Sequence, residues 1–167
     1  MSVGVTYVIF DGDKDKWAYG YMKGWKVNER VEFDFRDAHA LGSMTGNAQY
    51  EPYVKSELRK RMIESNQVIV LVGESTKNLR KFVCWEIDLA VELRLPIIVV
   101  NLNDKRIMDN DRCPVALRTT YSVHVPFKRA IIKYALEGFP GEFAGRPRDA
   151  TGPRVYGNQI YQSLGIV

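Results

Sequence analysis

Glu86 is the residue in this chain best placed to do chemistry. It stands in Lys81-Phe82-Val83-Cys84-Trp85-Glu86-Ile87, early in a helical pattern that opens just after the apolar run Val68-Ile69-Val70-Leu71-Val72. A carboxylate at that point faces the carboxyl ends of the strands, the rim where open α/β sheets bind ligands. Periodicity alone reads Glu86 as an ordinary solvated helix glutamate; its position at the rim sets it apart. Other polar groups gather at the same rim. Asp11, Gly12, Asp13 and Asp15 follow the first apolar run, and Arg36, Asp37 and His39 follow the second. Gly73-Glu74-Ser75-Thr76-Lys77-Asn78 follows the third, and Asn103, Asp104 and Lys105 follow the fourth. Polar loops are ordinary at such positions, so this gathering permits a site without requiring one.

The elements that must position these groups are legible as alternating runs. Five β-rich stretches are read as strands: Val5 to Phe10, Val31 to Phe35, Val68 to Val72, Ile97 to Leu102 and Tyr121 to Val125. The third and fourth are nearly continuous Val, Ile and Leu, the mark of parallel strands covered on both faces. The second alternates and is expected nearer an edge. Between them, Val54, Leu58 and Met62 recur every four residues, and Val83, Ile87, Ala90 and Val91 form a stripe with Glu86 at its border. Ile131, Ile132, Ala135 and Leu136 form another stripe, closed by Gly138 and Pro140. Residues 13–28 read as partly helical, weakened by Gly20 and Gly24. Strands alternating with helices predict an α/β fold, a three-layer sandwich with a five-stranded parallel sheet in the flavodoxin-like order 2-1-3-4-5. The expected domain is 1–138. Residues 139–167 are read as a Gly/Pro/Arg-rich extension packing on the domain or on a partner, through Tyr156, Ile160, Tyr161, Leu164 and Ile166.

Composition narrows the function classes. The 167 residues suffice for one domain with a real core. The formal net charge is +4, with basic clusters at Lys55/Arg59/Lys60/Arg61, Lys77/Arg80/Lys81 and Arg146/Arg148/Arg154. These read as solvated faces, and no nucleic-acid motif accompanies them. The longest strongly apolar run, Leu95 to Val100, is too short to span a bilayer. No signal peptide is expected, since Met1 to Val5 lacks a basic stretch and the next apolar run is short. With only Cys84 and Cys113, the expectation is a reducing cytoplasmic setting and two free thiols. His39 and His124 stand apart from any metal-ligand spacing, so no metal is expected. A phosphoacceptor receiver would need an Asp after the third strand, where Gly73 and Glu74 stand. A flavodoxin phosphate loop is contradicted by Asp11-Gly12-Asp13, which would repel a phosphate. The glycine fingerprint of dinucleotide-binding folds is absent, and no Ser-His-Asp or Cys-His pair is suggested.

These residues resemble a known family. Leu71-Val72-Gly73-Glu74-Ser75-Thr76 is similar to the V-L-I-G-E-x-T of the TIR-like ThsB proteins of Thoeris anti-phage systems, and Arg80 to Ile87 is similar to their R-K-W-V-x-[YW]-E-I. An aromatic, Phe10, closes the first strand with Asp15 a few residues on, and Pro96 to Val100 follows at the expected distance. The likeness covers residues 3–137. It implies that Glu86 is catalytic and acts on NAD as substrate, with no further cofactor. It places Phe10, Asp11, Thr76 and Phe82 around the substrate, with Phe82 either against the nicotinamide or ribose or in the core. It lets Lys77 or Arg80 meet the pyrophosphate. Phe82 stands where the family has tryptophan, and Ile9 where a serine is often found. The resemblance implies an ADP-ribose-derived, cyclised signal read by a separate effector protein, and self-association through the loop at residues 37–47. Neither membrane nor nucleic acid is an expected partner. The competing reading is a non-catalytic TIR-like scaffold that oligomerises or docks an effector.

Overall fold

The computed structural model describes residues 4–28, the backbone of 36–37, and 51–166. Strands β1 (Val5–Ile9), β2 (Arg36–Asp37), β3 (Gln67–Val72), β4 (Ile97–Asn101), β5 (Ser122–Pro126) and β6 (Pro153–Val155) form one sheet in the order β2-β1-β3-β4-β5-β6. Every pairing is parallel. The predicted order 2-1-3-4-5 is therefore present, extended by a sixth strand. The expected second strand, Val31 to Phe35, lies outside the described residues, as do His39 and residues 38–47 of the proposed assembly loop. The pairing seen beside β1 is Val5 with Arg36 and Thr6 with Asp37.

Two layers of helix cover the sheet because its strands are apolar on both faces. Val8, Ile69, Leu71, Ile98, Val100, Val123 and Val125 pack against α1 (Lys16–Val27) and α4 (Arg129–Ala144). The alternate residues, Tyr7, Ile9, Val68, Val70, Val72, Ile97 and Val99, pack against α2 (Glu51–Ile63) and α3 (Trp85–Glu92). The period of two along each strand assigns each side chain to its layer. Tyr7 and Glu86 are thereby brought to the same side of the sheet.

The C-terminal reading needs correction. Helix α4 does not close at Gly138 and Pro140 but runs on to Ala144. A proline inside a helix costs about 3 kcal/mol. Here Phe139 is fully buried and Phe143 packs against the same core, and that burial offsets the cost. Gly152, at φ +83, turns the chain and donates its N–H to Thr119, and Pro153 opens the edge strand β6, a strand-start position that tolerates the missing donor. Helix α5 (Asn158–Ser163) then docks on the body through Tyr161, which is 1% exposed, with Ile160, Leu164 and Ile166 alongside.

His124, in the middle of β5, is fully buried. Its Nε2 lies 3.1 Å from Ser122 Oγ, and its Nδ1 has no partner among the described residues. Burial pushes its pKa from 6.5 down to about 4. Between these values the unfolded chain binds more protons than the folded one. This contribution is therefore fully present above about pH 6.5 and is lost as pH falls toward 4, by about 3 kcal/mol. Urea unfolding at pH 7, 5.5 and 4 should show this loss in the native chain and a correspondingly smaller one in His124→Val. Equal pH slopes in the two proteins would reject the assignment.

Candidate active site

The site is built where β3 hands over to α3. After Val72 the chain makes a 3-10 turn, Thr76–Asn78, then a π-helical segment, Arg80–Cys84, before the α-helical register of Trp85–Glu92. The single helical pattern expected around Glu86 is thus interrupted. The N–H of Cys84 donates to Leu79 O at 2.9 Å, the wider i→i−5 bond of a π turn. A π turn places an extra residue in one turn and changes the phase of the helix beyond it. The buried face of the helix comprises Val83, Ile87, Leu89 and Ala90 with Glu86 among them, whereas Val91, expected in the stripe, is 36% exposed.

Glu86 is therefore not a solvated helix glutamate: it is 1% exposed. The Tyr7 hydroxyl, fully buried in β1, donates a hydrogen bond to Glu86 Oε2. A carboxylate out of water needs such a donor, and an O–H···O⁻ bond is among the strong ones. Tyr7 was not singled out by sequence. A signal existed, since a hydroxyl-bearing ring in a strand otherwise read as buried must find a partner. Its partner, distant in sequence, could not be read from it.

Glu86 forms part of the wall of a cavity of about 560 Å³, within the range of small-molecule sites. Phe10, Asp11, Gly12 and Asp13 contribute the side after β1, Val54 and Leu58 come from α2, and residues 78–83 close the remaining wall. Phe10 lines the cavity with its ring stacked on Tyr19 at 4.6 Å. Asp11 shapes the wall: its Oδ1 accepts N–H bonds from Asp13 at 2.9 Å and Lys14 at 3.1 Å. Phe82 is half-buried in the wall, with Lys81 Nζ 5.4 Å from its ring centre. Arg80 also lines it. Lys77 does not; its ammonium is turned to Asp111. Val54 and Leu58 are walls that sequence reading treated only as core. Among the described residues, no group of three or more His, Cys, Asp or Glu could hold a metal ion, and no helix is long and apolar enough to cross a membrane.

Thr76 also departs from expectation. It is fully buried and does not line the Glu86 cavity. Its Oγ1 accepts from Gly73 N at 2.8 Å and lies 3.5 Å from Asp15 Oδ2 and 3.3 Å from Leu71 O. Thr76 thus ties the loop after β3 to the loop after β1. Gly73 makes the approach possible, because a Cβ there would lie 2.4 Å from Asp15 Oδ2. Asp15 is buried, and its pKa is raised by that burial and then by the charge of Asp11, with the Thr76 hydrogen bond acting against the shift. Gly73→Ala should destabilise the protein by about 1–3 kcal/mol through this overlap. Most of the loss should vanish in the background of Asp15→Ala, a coupling readable by denaturant titration of the four proteins. Additive losses would mean that the two loops are not in contact here.

The family comparison agrees with this geometry. The family model described as Thoeris protein ThsB, TIR-like domain, matches residues 7–107. That span begins at Tyr7, covers β3, the π turn and α3, and contains the residues that form the Glu86 cavity. It takes in more than half of the chain, which therefore belongs to the family of Thoeris ThsB proteins with a TIR-like domain.

Proposed function

We propose that this protein cleaves the bond between nicotinamide and ribose in NAD and converts the remainder into a cyclic ADP-ribose-type signal for anti-phage defence. The observation that carries the reading is Glu86: a carboxylate withdrawn from water, held by Tyr7, in the wall of a rim cavity. The reacting bond joins the ribose C1′ to a cationic pyridinium nitrogen. Its electron pair leaves with the nitrogen, so nicotinamide departs neutral and needs no proton, unlike the leaving group of an ordinary glycoside. Positive charge builds on the ribose ring. A preorganised carboxylate beside that ring stabilises it without reorganising, the situation in which electrostatics contribute most to rate. The Tyr7 bond fixes the plane of the Glu86 carboxylate while charge develops.

An acceptor oxygen then bonds to C1′ and gives up its proton. Water as acceptor yields ADP-ribose, and a hydroxyl of the adenosine half of the same molecule yields a cyclic product. Val54, Leu58, Leu79 and Phe82 supply apolar wall around the cavity. Limited water there favours the tethered hydroxyl, whose effective concentration is high. The family supports a product read by a separate effector; self-association on activation and a cytoplasmic setting are part of the same proposal.

Mass spectrometry of small molecules after incubating concentrated protein with NAD tests this directly. Loss of NAD and appearance of a cyclic ADP-ribose isomer are expected. Glu86→Gln should lower the rate at least about a hundredfold, on the scale of losing a preorganised charge stabiliser. Tyr7→Phe should lower kcat by about tenfold while leaving KM within about twofold, as for an interaction exerted on the transition state. Intact NAD with native protein, including in lysate of phage-infected cells, would defeat the proposal.

A further inference from the structure

Cleavage of NAD as described above leaves one proton unassigned. Nicotinamide departs with the electron pair of the broken bond, but the acceptor oxygen that bonds to C1′ starts as a hydroxyl and must lose its hydrogen. A base in the cavity has to take it. Among the described residues that line the cavity, three carry a carboxylate: Asp11, Asp13 and Glu86. Glu86 is engaged by Tyr7, and its negative charge is needed for as long as the ribose ring is positive. Asp13 is exposed to bulk water. Lys81, also in the wall, stands in an ion pair with Glu51 at 3.6 Å. Asp11 differs from all of these. It is only 3% exposed. Its Oδ1 accepts the N–H bonds of Asp13 and Lys14, which fix the plane of the carboxylate. Its Oδ2 accepts no hydrogen bond among the described residues, yet it is not one of the buried polar atoms cut off from solvent. A carboxylate oxygen so withdrawn from water is costly without a donor, and a hydroxyl of a bound ligand supplies one.

Resting on the NAD reading above, we propose that Asp11 is the general base for the acceptor. A lone pair of the acceptor oxygen forms the bond to C1′, the O–H bond breaks, and the proton passes to Asp11 Oδ2 and from there to solvent. Nothing is oxidised or reduced. Two carboxylates in different surroundings thereby take different tasks. Glu86 keeps its charge beside the ring, and Asp11 takes the proton. They come from different elements, α3 and the loop after β1, so the sugar and the acceptor can lie between them, as in glycosidases whose second carboxylate activates the attacking oxygen.

Exchange of isotope-labelled nicotinamide into NAD, measured on the full chain beside product formation, separates this role from simple binding. The exchanging pyridine nitrogen attacks C1′ with a free lone pair and has no proton to lose, so exchange requires Glu86 but no base. Asp11→Asn is the informative variant, because its side-chain oxygen can still accept the two N–H bonds while the amide cannot take up the proton. It should lower the ratio of product formation (ADP-ribose plus cyclic isomer) to exchange by about a hundredfold, on the scale of general-base catalysis. Glu86→Gln should lower both rates together. An unchanged ratio in Asp11→Asn overturns the proposal, whether both rates fall, as for a residue that only binds or folds, or neither does. Native protein that gives neither product nor exchange would instead reject the NAD reading itself, and the base with it.

Discussion

The hydrogen bond from Tyr7 to Glu86 is the contact on which the architecture around the site depends. Removing a carboxylate from water costs several kcal/mol unless strong donors replace the lost hydration. Here a donor comes from a neighbouring layer of the fold, the centre of β1, while the acceptor comes from α3. The bond can form only if β1 lies beside β3, as the pairing of Tyr7 with Val68 records, and if the helix after β3 turns its Glu86 face inward. The π turn over Arg80–Cys84 precedes that helix and sets its phase. A local departure from ideal helical geometry and a buried charge, each unfavourable by itself, are thus found together beside one cavity, as expected where function rather than stability has set the design.

The rim is organised to keep that carboxylate approachable. Asp11 folds the loop after β1 by accepting two backbone N–H bonds, and Asp15 joins it to the loop after β3 at Gly73 and Thr76. The polar groups that looked like substrate contacts are in part joints between loops. The cavity lining is more apolar than the rim sequence suggests, with Phe10, Leu79 and Phe82 meeting Val54 and Leu58 from α2. Such walls strengthen the electrostatic effect of a fixed charge by excluding water, and this links the packing of α2 to the proposed chemistry. The far edge of the sheet is a separate matter. There α4 and α5 extend the core of the other layer, with Phe139, Tyr161 and Phe143 packing into it, and β6 extends the sheet.

The sequence by itself determined the class of fold and its order. Runs of Val and Ile on both faces of the inner strands, separated by helical stripes, leave a covered parallel sheet as the consistent arrangement, and the folded chain has that sheet. It also put Glu86 at the rim, because chain position after a strand predicts place there, while Phe10, Asp11 and Phe82 as its neighbours came from the family resemblance. Tertiary structure decided what position along the chain cannot encode. Whether Glu86 is solvated or buried depends on the phase of a helix interrupted by a π turn, and periodicity assumes an uninterrupted one. Tyr7 acquired its role from a residue 79 positions away, a contact that exists only once the layers have packed. Thr76 became a joint rather than a wall because Gly73 lets Asp15 come close. At the C-terminus, local breakers at Gly138 and Pro140 predicted an end to the helix, but burial of Phe139 carried it onward. In each case a local preference worth a few kcal/mol was outweighed by burial or pairing with a distant partner, and those are properties of the folded whole.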